Sequence, residues 1–78
     1  MVRLLDDSQK EKYDFVRTTL SSLLREVLRN DHYRADYYVD EQGDEWVEIS
    51  FDNEYSIRKV NVSADSLLAL TRDVLRTF

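Results

Sequence analysis

The chain has 78 residues, 42% of them hydrophobic, with no cysteine, no proline, one glycine and a formal net charge of −5. The absence of cysteine excludes disulfides and thiolate metal sites, the apolar content excludes a disordered acidic tail, and no apolar run approaches the ~18 residues of a membrane span. Size alone leads one to expect a single domain over 1–78. The cysteine-free composition, with an opening segment too acidic for a secretory signal, suits the cytoplasm.

Ser8-Gln9-Lys10-Glu11 has the form of a capping box, with Ser8 at the N-cap and Glu11 three residues on. Tyr13, Val16, Leu20, Leu23, Leu24, Val27 and Leu28 then recur at threes and fours. They fall in an arc of about 140° on a helical wheel, the stripe of a helix lying on a core. Arg25 and Arg29 suit the C-terminal end of its macrodipole, and Asn30-Asp31 is the expected stop. Phe15 falls opposite the stripe, among Thr19, Ser22 and Glu26. It is a self-association contact unless Val2, Leu4 or Leu5 covers it.

From Tyr33 the period changes from 3.6 to 2. Tyr33, Ala35, Tyr37 and Val39 alternate with Arg34, Asp36, Tyr38 and Asp40. Asp40-Glu41-Gln42-Gly43-Asp44 predicts a hairpin turn closed by Gly43 in the left-handed region. With Asp40 opposite Asp44, the pairs Tyr37–Val47, Ala35–Ile49 and Tyr33–Phe51 form one apolar face. Tyr38–Trp46, Asp36–Glu48 and Arg34–Ser50 form the other. A one-residue slip would mix the faces, which fixes the register.

Asp52-Asn53-Glu54-Tyr55 is a second turn, with Asn53 suited to positive φ. In the third strand, Tyr55 to Val62, Val60 faces Val47 and Lys59 faces Glu48. Ile57 has the opposite parity to Val60, and a bulge near Arg58-Lys59 would bring it into the core beside Phe51. Ser63 is the expected N-cap of a last helix, with Val62 and Leu67 as its hydrophobic staple. Leu67, Leu68, Leu70, Val74, Leu75 and Phe78 fill one arc of that helix. The whole reads as α+β: a two-layer α-β-β-β-α order, with both helices on one face of a three-stranded antiparallel meander.

This order resembles that of the double-stranded RNA-binding domain. The resemblance covers most of the chain and is one of topology. That family reads RNA with lysines at the start of its second helix and with basic loops. Here the matching positions are Ser63-Ala64-Asp65-Ser66, and the first hairpin is acidic. Direct nucleic-acid binding is therefore not expected.

The charge distribution is the guide to function. Between Arg34 and Arg58 stand eight carboxylates and no basic residue, so the rest of the chain carries a net +3. A field of one sign selects basic partners. The expected partner-binding set is Asp36, Tyr38, Asp40, Glu41, Asp44, Glu45, Trp46 and Glu48. Tyr and Trp dominate binding hot spots, and the facing pair Asp36–Glu48 is a like-charge arrangement that costs stability. The partner is expected to be a basic protein surface, including the phosphate-binding surface of a nucleic-acid-binding protein, which the acidic hairpin would occupy as a charge mimic. The competing reading is an assembly protein, a homodimer formed through the sheet face or Phe15. No catalytic constellation, cofactor motif or metal motif is present: His32 is the one histidine, and Gly43 followed at once by acids does not have the spacing of a calcium loop.

Overall fold

The computed structural model describes residues 5–52 and 55–78. The elements in order are α1 (Asp7–Phe15), a π-helical turn (Val16–Leu20), α2 (Ser21–Leu28), β1 (Tyr33–Val39), β2 (Glu45–Phe51), β3 (Tyr55–Asn61) and α3 (Leu67–Arg76). The strands form one antiparallel sheet in the order β1-β2-β3. Ala35, Tyr37, Val47 and Ile49 from one sheet face share a buried cluster with Val16, Leu20 and Leu24 from the first helical segment and Leu70 and Val74 from α3. The architecture is thus the expected two-layer α+β arrangement, with the helices on one face.

The β1–β2 register is the one that the alternation dictates, with Tyr37 opposite Val47, Asp36 opposite Glu48 and Tyr38 opposite Trp46. The hairpin closes with Asp40 N–H donating to the Asp44 carbonyl at 2.9 Å and Gly43 N–H to the Asp40 carbonyl at 3.1 Å. Gly43 has φ 88°, a region costly for a residue with a Cβ. In β3, Lys59 faces Glu48 and Val60 faces Val47. The pairing then jumps from Ile49–Arg58 to Ser50–Ser56. The bulge is present, and Ile57, next to Arg58, is its extra residue, partly buried against the core. The expected positive φ falls on Asp52, at 57°; Asn53 lies outside the described residues, as do Val2 and Leu4.

Both helix starts differ from expectation. The capping box sits two residues upstream, where Asp6 Oδ1 accepts the Gln9 N–H at 2.8 Å and Gln9 Oε1 accepts the Asp6 N–H at 3.1 Å. Asp and Gln satisfy the same pattern as Ser and Glu, which leaves Ser8 exposed inside the first turn. At α3 the cap is Ser66, whose hydroxyl accepts the Ala69 N–H at 3.2 Å. Ser63 is used elsewhere: its hydroxyl accepts the Glu45 N–H at 2.9 Å, tying the end of the third strand to the start of the second.

The first helical segment is not one uniform α-helix. Its π turn inserts an extra residue into the repeat and rotates the second half relative to the first. The buried face runs from Lys12 before the turn through Val16 and Leu20 at its two ends to Ser21 and Leu24 after it. Leu23 and Val27, expected in the core, rotate outward to 36% and 57% exposure. The gain is at Ser21. Its hydroxyl accepts the Ala35 N–H at 3.0 Å and lies 3.0 Å from the carbonyl oxygens of both Ala35 and Val16, one of which takes its proton. Ala35 is on the open edge of β1, where N–H and C=O groups lack a neighbouring strand. A buried serine thus stands in for that strand, and Arg25 Nε does the same for the Tyr33 carbonyl at 2.9 Å.

Ser21→Ala should cost about 1–3 kcal/mol in chemical denaturation, because it strips partners from buried backbone groups. The exposed neighbour substitution Ser22→Ala should stay within about 0.5 kcal/mol.

Candidate functional site: the outer sheet face

The acidic residues of the hairpin divide into three groups by where their carboxylates go. Glu45 opens β2 with the parity of Val47 and Ile49, so it points inward. Its Oε1 accepts from Lys12 Nζ at 3.0 Å and from the Tyr37 hydroxyl at 2.5 Å. Lys12 also donates to the Val62 carbonyl at 3.3 Å. Lys12 and Glu45 are 7% and 8% exposed. The Tyr37 phenol is pushed well above its ordinary range, by burial first and by the Glu45 carboxylate second. Glu45 is therefore an internal structural acid and contributes no charge to a docking surface.

Asp40 is spent inside the turn. Oδ1 accepts the N–H groups of Gln42 and Asp44 at 2.9 Å each, and Oδ2 accepts the Trp46 indole N–H at 2.9 Å. The indole N–H foremost, and the backbone donors after it, hold the carboxyl below its ordinary value against a penalty from burial. Asp40 thus fixes the plane of Trp46 on the outer face.

The remaining acids are Asp36, Glu41, Asp44 and Glu48. Asp36 faces Glu48 across the strands as expected, yet the pair is not an unrelieved repulsion. Arg34 Nε lies 3.2 Å from Asp36, and Arg17 Nε, reaching over from the π turn, lies 3.9 Å away. Glu48 faces Lys59 on its other side. Glu41 is exposed at the turn, and Asp44 is half-buried beside it.

The centre of the face is aromatic and already holds a cation. The Lys59 ammonium lies 5.4 Å from the Tyr38 ring centre and 5.5 Å from that of Trp46, within cation–π range of both. The neighbouring Tyr38 phenol first, and the Glu48 and Asp40 carboxylates after it, raise the Lys59 pKa. Trp46 is half-buried, its polar end held by Asp40. The sequence pointed to Tyr38 and Trp46 but not to Lys59 between them, although Lys59 stands opposite Glu48 in the same register.

Phe15 is only half-buried and packs against the core cluster, which leaves part of its ring exposed. Among the described residues no helix is long and apolar enough to cross a membrane. No protein-family model, curated protein or solved structure matches the chain.

One half-buried acid stands apart from the hairpin. Asp65, just before α3, has an Oδ2 atom that is buried and without a hydrogen-bond partner among the described residues. Burial first, and the Asp73 carboxyl second, raise its pKa above the ordinary 3.8, while Lys12 and Arg72 act the other way. A carboxyl raised in the folded state gives stability that is full below the unfolded pKa and lost as pH rises through the folded value. Asp65→Asn should therefore be more stable than the parent at neutral pH, with the difference shrinking as pH falls towards 3.8. Urea denaturation across that range checks it.

Proposed function

We propose that this chain is a non-enzymatic protein-interaction module whose outer sheet face takes a lysine- or arginine-bearing segment of a basic partner. The observation that carries this is Lys59 seated between Tyr38 and Trp46. Two ring faces, with Glu48 and Asp36 on the neighbouring row, make a receptor for an ammonium or guanidinium group. The chain's own lysine occupies it in the absence of a partner. A partner's arginine would displace Lys59, stack on the indole and gain the carboxylates of Glu48, Asp44 and Glu41 around it. Same-face carboxylates on a strand recur every ~7 Å, so a surface built to hold phosphates is one basic surface that this face fits. The mimicry would rest on Asp36, Glu41, Asp44 and Glu48, since Asp40 and Glu45 are used internally.

Trp46 is the one tryptophan, so its fluorescence reports on the face directly. Titration with a short arginine-rich peptide should give a saturable change whose apparent affinity falls as salt rises, since exposed charges are screened over ~8 Å at physiological ionic strength. Tyr38→Leu, which leaves every charge in place, should weaken binding about fivefold, and Lys59→Gln should strengthen it. If Tyr38→Leu binds as well as the parent, the peptide senses net charge alone and the proposal fails.

A further inference from the structure

A second polar feature lies at the far end of the β1–β2 hairpin from the acidic turn. A cleft of about 410 Å³ opens between the end of α2 and the start of β1, lined by Arg17, Arg25, Asp31, His32, Tyr33, Arg34 and Asp52. Three guanidinium groups converge there, in a chain whose net charge is −5.

The arginines are held in different ways. Arg17 donates through Nη1 to the Tyr13 hydroxyl at 2.6 Å and leans on Asp36. Arg34 is paired with Asp36. Arg25 is half-buried, and Nε is bound to the Tyr33 carbonyl. That bond fixes the plane of the guanidinium and leaves its Nη1–Nη2 end without an acid partner among the described residues. On the opposite rim His32 contacts Asp52, and the Asp31 side chain is exposed, with no hydrogen bond or ion pair among the described residues.

We infer that this cleft is a carboxylate-binding site, with the Nη1–Nη2 end of Arg25 as its anchor. A guanidinium presents two parallel N–H groups with the spacing of a carboxylate's oxygens, and such charge-assisted pairs are the stronger class of hydrogen bond. Immobilising the group on a backbone carbonyl reduces the entropy lost when the anion docks. Charge selects within the oxyanions. Asp31, Asp52 and the Asp36 shared by Arg17 and Arg34 offset the three arginines, so the cleft has no surplus positive charge for a phosphate dianion, and the Arg25 fork suits a monoanion such as a carboxylate. The site is separate from the outer-face receptor: one takes a cation, the other an anion, at opposite ends of the hairpin.

The test is a titration of the whole chain with sodium acetate, followed by ¹H–¹⁵N NMR at constant ionic strength against sodium chloride. Saturable shifts are expected at the Arg25 side-chain Nε–H and at the backbone of His32 and Tyr33. Arg25→Gln should weaken acetate binding about tenfold. Asp31→Asn removes a rim charge with no partner among the described residues, so it should strengthen binding, a gain that misfolding cannot imitate. Shifts that follow chloride equally, or an affinity untouched by both substitutions, would overturn the assignment.

Discussion

The Lys12 ammonium and the Glu45 carboxylate meet inside the core, and the positions of the surrounding elements depend on that meeting. Burying two charges costs several kcal/mol per ion unless the geometry and further hydrogen bonds offset it. Here the Tyr37 hydroxyl and the Val62 carbonyl supply those bonds. The network joins α1, β1, β2 and the segment leading to α3. It also fixes the parity of the hairpin: with Glu45 inward, Trp46 and Glu48 must point outward. A slip of one residue would expose Val47 and Ile49 and leave Lys12 without its acid. The outer face exists as a surface because an acid beside it was turned in.

Above and below this network the first helical segment meets the sheet in two registers. Val16 and Leu20 continue the line of Lys12, and the π turn then brings Ser21 to the edge of β1. A regular helix would keep Leu23 and Val27 nearer the core and lose the serine's contact with Ala35. The backbone groups of Ala35 weigh against that, since a buried N–H or C=O left unpaired costs about 1–3 kcal/mol each. The same segment closes the open edge against pairing with another strand.

Most of the sheet was legible because period 2 and one apolar face leave little choice of register. The α+β order, the hairpin turn, the bulge beside Arg58 and the outward Tyr38–Trp46 pair all follow from it. What escaped the sequence has a common cause. Lys12, Ser21 and Glu45 are polar residues with internal roles, and a hydrophobic wheel assigns every such residue to solvent. With Lys12 and Ser21 on the buried face, the true arc is turned towards Phe15 and away from Val27. The capping positions moved because Asp6, Ser8, Ser63 and Ser66 are all competent caps, and tertiary bonds rather than propensity chose among them. The eight-carboxylate stretch overstated the surface charge for the same reason: Glu45 and Asp40 serve the fold.

Polarity along the hairpin links this architecture to the proposed chemistry. The turn end carries carboxylates around two aromatic rings, while the other end carries arginines held by β1 backbone and by Asp36. Both surfaces depend on a hairpin that is locked from inside. A double-mutant cycle on Lys12→Met and Glu45→Gln tests that lock most directly. Each single substitution should cost about 3–5 kcal/mol by stranding the other group, and the double should recover about 2–3 kcal/mol of the sum as coupling. Additive single effects, with no coupling between the two positions, would contradict the account.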